Sequence, residues 1–254
     1  DNLCENVAGV HGFHLDGFAQ ELVNLPARNL VPAPPGVDET GAALAPITFG
    51  TVEHMLFDNA SLQPGETVLV HAGGSGIGTA AIQLAKRMGC TVITTVGSDA
   101  KIEPAKALGA DHVINVRNED VVEKVRELTG GQGVDYVVEC AGAPNGLNEA
   151  AQMVNRGGKI CLAAFPGNSP EVDVAYLVRN NIYLFGIRGE GKSATHRAEA
   201  FMRQKRFDAT LIHTHTFEME DLEEALRYAK DRVDDAIKVV VKNKHAQAQK
   251  VAAE

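Results

Sequence analysis

Two periods alternate along the chain from about residue 47 onward. Short runs apolar at every position are followed by stretches whose apolar residues recur three and four apart. These are the signatures of buried strands and amphipathic helices. ETVLVHA (66–72) leads toward AAIQLAKRMG (80–89), where Ile82, Leu84, Ala85 and Met88 share one helical face. CTVITTV (90–96) precedes a helix at AKALGA (105–110), and HVINV (112–116) precedes EDVVEKVRELTG (119–130). VDYVVECAG (134–142) comes before a helix near NGLNEAAQMV (145–154), the turn NRGG (155–158), and strands KICLAAF (159–165) and NIYLFGIR (181–188). Such an order predicts a parallel sheet covered on both faces, a doubly wound Rossmann-type α/β domain over residues 47–186.

The flanks read differently. FAQELVNL (18–25) and LVPAPP (30–35) are apolar pieces broken by Gly and Pro, expected as strands and turns. A helical pattern starts only at Pro46, with ITFGTVEHMLFDNASL (47–62). The tail is read as helix 192–207, strand LIHTHTF (211–217), helix 218–232 and strand AIKVVV (236–241), with a polar end expected to fray.

Composition narrows the class. With 254 residues, 44% hydrophobic and 22% charged, the chain can bury a substantial core as an ordinary globular protein. A net charge of −9 without any Lys/Arg cluster argues against a nucleic-acid partner. No apolar run reaches the length of a membrane span, and the start carries no signal-peptide pattern. Cys4, Cys90, Cys140 and Cys161 are scattered without a CxxC pair, which fits a reducing, cytoplasmic setting. The opening DNLCENVAGV, without an initiator Met, reads as an entry into the middle of a domain.

The candidate chemistry lies in HAGGSGIGT (71–79), between the first strand and the first helix of the α/β pattern. Glycines there permit a tight turn, close backbone approach to a pyrophosphate and close helix–strand packing, with the phosphates at the helix N-terminus. The frame is Gly73, Gly74, Ser75, Gly76, Ile77 and Gly78, with Ser75 where the middle glycine is expected. At the end of the second strand, where a carboxylate would bind the adenosine ribose, stands Val96-Gly97-Ser98. A missing carboxylate removes the repulsion of a 2′-phosphate, and Lys101 offers positive charge nearby, so NADP(H) is favoured over NAD(H). A plainer alternative has Ser98 or Asp99 capping the next helix; Asp99 swinging to the ribose would restore NAD use.

With these residues in place the sequence resembles the medium-chain dehydrogenase/reductase superfamily of zinc-type alcohol dehydrogenases and quinone reductases. DGFAQELVNLPARNLVPAPPGV, LQPGETVLVHAGGSGIGTAAIQLAK, TVGSDAK, ALGADHVIN, TGGQGVDYVVECAG and NRGGKICLAAF carry the likeness, in family order and over nearly the whole chain. The resemblance implies a partial GroES-like barrel from residues 1–46 and 187–254 flanking the nucleotide domain. It also implies hydride transfer with a nicotinamide. By the same resemblance Cys140, Ala141 and Gly142 would lie near the nicotinamide ribose and Ala163, Ala164 and Phe165 would line the nicotinamide. Leu184, Phe185 and Gly186 would give backbone contacts to its carboxamide.

Departures from the family pattern matter as much. The zinc-dependent branch has a cysteine ligand just upstream of the segment that reads LAPITFGTVEHML here, whereas Gly41 to Pro46 hold none. No metal site is therefore expected in this chain: Cys4 alone cannot form a structural-zinc lobe, and His11, His14, His213 and His215 are set down as ordinary residues. The expectation is an NAD(P)H-dependent oxidoreductase acting on a small carbonyl, enone or quinone without catalytic zinc, its catalytic residues unassigned. Two alternatives stand beside it: a zinc-dependent alcohol or polyol dehydrogenase whose first half is absent, and a non-catalytic nucleotide-binding protein. Residues 180–188, as the last apolar strand, would leave an exposed edge, so a homodimer or a tetramer of such dimers is expected through it.

Overall fold

Six apolar runs pair only with one another, and all in parallel. They are β1 (Thr67–Val70), β2 (Thr91–Val96), β3 (His112–Asn115), β4 (Val134–Glu139), β5 (Val154–Leu162) and β6 (Tyr183–Gly186), in the order β3-β2-β1-β4-β5-β6. The computed structural model describes residues 9–33, 35–165, 167–189, 192–204 and 208–243. Because the winding reverses between β3 and β4, the first and fourth strands are neighbours. The crevice beyond their carboxyl ends is where an open α/β sheet binds ligands. NRGG is carried inside β5 rather than ahead of it, with Gly157 in the left-handed region and a register shift opposite Val134 and Tyr136.

Parallel strands need crossovers, and the helices supply them. α1 (Glu39–Leu44) and α2 (Gly50–Glu53) belong to one helical stretch with wider turns at Ala45–Phe49 and His54–Asn59. That stretch begins seven residues before the Pro46 start expected from the sequence (46 − 39). The side chain of Asp38 accepts the Gly41 amide, so the chain turns helical there. α3 (Gly76–Arg87) follows as anticipated, whereas α4 (Ile102–Ala107) starts three residues before the expected AKALGA and ends three residues short of it. α5 (Val121–Leu128) and α6 (Gly146–Met153) again follow as anticipated. Pro104 sits in the first turn of α4, where its missing N–H is not needed. α7 (Val174–Arg179) was not anticipated; the Asp173 carboxylate caps it by accepting the Tyr176 amide.

Val68 and Val70 face Val52, Met55, Ile82 and Leu84 on one side of the sheet. Leu69, between them, faces Ile93, Val125, Leu147 and Ile160 on the other. Burial on both faces is why the strand reads as apolar at every position.

The tail continues as α8 (Lys192–Arg203), β7 (His213–Glu218), α9 (Leu222–Asp231) and β8 (Lys238–Lys242), with β7 and β8 paired in parallel. Residues 9–33 correct the expectation of strands. The described ones form an isolated bridge between His11 and Leu15 and a 3₁₀ turn at Ala27–Asn29. Extended apolar chain becomes a strand only when another backbone pairs with it, and Phe18, Leu22 and Leu30 instead stand exposed. No helix among the described residues is long and apolar enough to cross a membrane.

A partly buried cluster of one guanidinium and two carboxylates ties the tail to the helical stretch before the sheet. Arg197 of α8 donates from Nε to Glu53 Oε2 and from Nη2 to Asp58 Oδ1, each at 2.7 Å. Burial pushes the Glu53 carboxyl above its ordinary range while Arg197 pulls it back. Removing Arg197 would leave a buried carboxylate unpaired. The guanidinium is part-exposed, so Arg197→Met is expected to lose about 2 kcal/mol of stability in urea unfolding. Adding Glu53→Gln should recover part of that loss.

Candidate functional site

Between β1 and α3 the chain makes a turn fixed by its own backbone. Ala72 takes a left-handed conformation, with φ 52°. The Gly73 amide donates to the Thr95 carbonyl at 2.8 Å, and the Ser75 amide donates to the Ala72 carbonyl at 2.8 Å. Ser75 is the N-cap of α3: its hydroxyl accepts the Gly78 amide at 3.0 Å, and its carbonyl accepts the Thr79 amide. The amides of Gly76 and Ile77 find no partner among the described residues and stand at the positive end of the helix.

The four glycines serve two purposes. A Cβ on Gly73 would collide with the Thr94 hydroxyl, and one on Gly78 with the Ala72 carbonyl, so these two permit the packing of the turn. A Cβ on Gly74 or Gly76 would meet only the ends of lysine side chains. Lys101 Cδ lies 3.2 Å from such an atom at Gly74, and Lys238 Cε lies 2.6 Å from one at Gly76. Lys101 follows β2, whereas Lys238 comes from β8 in the tail. Lys238 is half-buried, burial lowers its pKa, and it forms no ion pair among the described residues. A cradle of backbone amides flanked by two lysine side chains is suited to an anion.

Beside the turn, at the carboxyl ends of β1, β2 and β4, lies a cavity of about 710 Å³. Gly97, Val116, Val121, Glu139, Ala141 and His71 are among its lining residues. Four of its five lining carboxylates are engaged locally: Glu139 accepts the amides of Ala141 and Gly142, Glu119 that of Asn115, Asp120 that of Glu123, and Glu149 accepts from Asn145 Nδ2. Positive charge thus belongs to the glycine turn and negative charge to the cavity. Phosphate suits the first and a neutral ring the second.

Residues expected at the site fall into groups. Gly73 to Gly78 form the turn and Lys101 reaches Gly74, while Gly97 lines the adjoining cavity. Cys140, Ala141 and Gly142 follow β4, and Ala163 and Ala164 follow β5, with Gly142 and Ala164 close enough that a Cβ on the former would lie 3.3 Å from that of the latter. Gly186 ends β6 opposite Leu162. Leu184 and Phe185 lie within the strand, and Phe185 stacks on Tyr136 with ring centroids 6.2 Å apart. Phe165 is 85% exposed. Cys140 donates its thiol hydrogen to the His71 carbonyl at 2.8 Å, and burial pushes its pKa up to about 12.

The capping alternative for Ser98 and Asp99 does not hold. Ser98 makes no side-chain cap, and Asp99 accepts from Asn115 Nδ2 at 2.7 Å and Asn118 Nδ2 at 3.3 Å. No group of three metal-ligating side chains occurs among the described residues. His11 and His14 bond to the nearby backbone, His213 turns to the His215 carbonyl and the Thr216 hydroxyl, and His215 packs edge-on against Tyr228. Cys4 lies outside the described residues.

Sequence reasoning passed over two residues. Lys238 is a charge inside the apolar run AIKVVV, a sign of a placed side chain. His71 is the polar residue that ends VLV, with Nδ1 3.3 Å from the Thr95 hydroxyl. Although the residue is only partly buried, its Nε2 is out of solvent and without a partner in the structure.

Three comparisons bear on this geometry. Residues 76–205 match a family model described as zinc-binding dehydrogenase. An L-threonine 3-dehydrogenase of Paraburkholderia phymatum is 30% identical over 225 residues, covering 88% of this chain and 64% of that protein. A sorbitol dehydrogenase of Bacillus subtilis is 28% identical over 243 residues, covering 94% of this chain and 67% of that protein. A crystal structure of an NAD-dependent alcohol dehydrogenase superposes with a TM-score of 0.85 at 33% identity, over 95% of this chain and 69% of that chain. The chain thus spans 64% of the length of the threonine dehydrogenase it matches.

Burial holds the His71 pKa down, at about 4 against an ordinary 6.5. Between those two values the unfolded chain binds the proton and the folded chain does not. The stability this supplies is complete above pH 6.5 and is lost as pH falls toward 4. Wild type should therefore lose about 2 to 3 kcal/mol more than His71→Gln between neutral pH and pH ~4.5, read from urea unfolding of both proteins.

Proposed function

The chain belongs to the zinc-binding dehydrogenase family of medium-chain dehydrogenase/reductases, and from that premise we propose that it is an NAD(P)(H)-dependent oxidoreductase. The observation that carries the reading is the glycine turn, whose outer glycines face lysine side chains and whose first helical amides are unpaired. On this reading the amides of Gly76 and Ile77 hold the pyrophosphate with Lys238 beside it, while Lys101, whose stem crosses Gly74, turns its ammonium to the adenosine ribose. The adenine enters the cavity next to Gly97 and Val116. Ala141, Gly142, Ala163, Ala164 and the backbone of Leu184–Gly186 flank the nicotinamide. Bound there, the cofactor supplies or accepts a hydride at the nicotinamide C4. The chain's own part is to hold and orient it at the sheet crevice and to keep water from the ring. The substrate class is a small carbonyl, enone or quinone.

NADP(H) is the preferred form on this reading, because Gly97 presents no carboxylate and Asp99 is turned to Asn115 and Asn118. NADPH should bind several-fold more tightly than NADH in titrations of nicotinamide fluorescence. A Cβ at Gly97 meets nothing within 4 Å, so Gly97→Asp is sterically tolerated and should reverse the order by facing the 2′-phosphate with negative charge. Equal affinities in both proteins would sink the preference.

A second reading has specific support. The threonine and sorbitol dehydrogenases among the relatives favour a zinc-dependent alcohol or polyol dehydrogenase. Metal analysis of the purified protein, with activity before and after chelation, separates the two.

For assembly, β6 is an edge strand with Tyr183 57% exposed, and Val174 and Val178 of the neighbouring α7 are exposed beside it. We propose a homodimer, or a tetramer of such dimers, joined through residues 180–188. A two-fold partner would pair the edge and cover the apolar side chains. Light scattering at micromolar concentration is expected to give a dimer or tetramer mass, with Tyr183→Pro shifted toward monomer. A monomer for the unmodified protein would refute it.

A further inference from the structure

The turn between α9 and β8 reaches over the glycine turn, and it is strained. Arg232, Asp234 and Asp235 all lie in the left-handed region, at φ 53°, 51° and 56°. Side chains other than glycine enter that region at a cost, and such residues gather where a surrounding structure needs one particular geometry. Here the turn is closed on itself and tied to β7. The Ala236 amide donates to the Val233 carbonyl at 3.1 Å, and the Ile237 amide donates to the Thr214 hydroxyl of β7 at 3.0 Å.

What the strained turn delivers is a carboxylate. Asp235 Oδ1 lies 3.4 Å from Lys101 Nζ, the same lysine whose stem lies over Gly74. The Asp235 side chain is 85% exposed and has no other partner among the described residues. The second carboxylate near the end of β2, Asp99, is tied to Asn115 and Asn118. Lys101 is therefore neutralised by the tail and not by its own loop.

We propose that Asp235 is a specificity-determining residue of the nucleotide site. By holding Lys101 it takes the place of a phosphate monoester on the adenosine ribose. A 2′-phosphorylated nucleotide must displace it, whereas an unphosphorylated one need not. The inference rests on the reading that the adenosine end lies at Gly97 to Lys101, and it makes the tail turn a brake on the preference for NADP(H). An exposed ion pair is weak, so the brake is a matter of degree.

The test uses adenosine 2′,5′-bisphosphate and 5′-AMP, titrated by calorimetry into the full chain at low salt. Asp235→Asn is the informative variant, because asparagine tolerates the left-handed conformation and the turn is kept. It should bind the bisphosphate about two- to fivefold more tightly, leave 5′-AMP unchanged, and lose the gain at high salt. In Lys101→Met the bisphosphate should weaken, and Asp235→Asn added to it should give no gain. If Lys101→Met weakens the bisphosphate while Asp235→Asn changes nothing, the role of Asp235 falls and the adenosine site stands. A gain equal for both ligands, or one that survives Lys101→Met, also overturns it. If wild type binds both ligands equally and Lys101→Met alters neither, the adenosine reading falls and takes this inference with it.

Discussion

The contact on which the other features depend is the approach of α3 to the end of β1. Gly78 sits so close to the Ala72 carbonyl that no side chain fits between them. With the helix held there, its first amides point past the strand end. Thr94 and Thr95 of the neighbouring strand then complete the turn from below, the first against Gly73 and the second accepting the Gly73 amide. A helix standing further out would lose both the turn geometry and the alignment of its positive end with the crevice. The left-handed Ala72 is the local cost of this approach, offset by the hydrogen bonds on either side of it.

Charge is sorted around that turn rather than averaged over the surface. The chain is acidic overall, with 33 Asp and Glu against 24 Lys and Arg. Even so, the side chains reaching the outer glycines are both lysines. In the adjoining cavity, Glu139, Glu119 and Asp120 are spent on backbone amides. Such carboxylates act as structural acceptors, so an acidic lining does not by itself oppose a nucleotide whose phosphates lie elsewhere. Distribution decides here, not net charge.

The parallel sheet was legible because double-sided burial leaves Val68, Leu69 and Val70 apolar in succession, and several such short runs alternate with amphipathic helices. The glycine turn was legible for a related reason: three constraints fall on consecutive residues. Residues 18–35 misled because apolar extended chain looks alike whether or not a partner strand exists, and pairing is not a local property. α7 escaped notice because Val174 and Val178 face outward, leaving only the Asp173 cap as a signal. The lysine over Gly76 could not be placed from sequence, since β8 reaches the turn only through the tertiary fold. Asp99 is the instructive middle case. Its position suggested a cap or a ribose ligand, and the choice was made instead by two asparagines at and just beyond the carboxyl end of β3.

The tail is therefore part of the site and not an appendage to it. Arg197 fixes α8 against the helical stretch that precedes β1, and β8 brings Lys238 to Gly76. A half-buried ammonium without an ion pair is an unfavourable feature of the isolated fold, since burial disfavours its charge. An anion in the turn would relieve that cost, and only in the conformation that has the tail docked. Binding and docking are then linked in both directions: an anion held by the turn stabilises the docked tail by mass action, and whatever loosens the tail weakens the anion. On the proposed reading, β8 carries the attraction through Lys238 and the turn before it carries the restraint through Asp235. On that reading, cofactor affinity and cofactor choice meet in one short stretch of β8 and the turn before it.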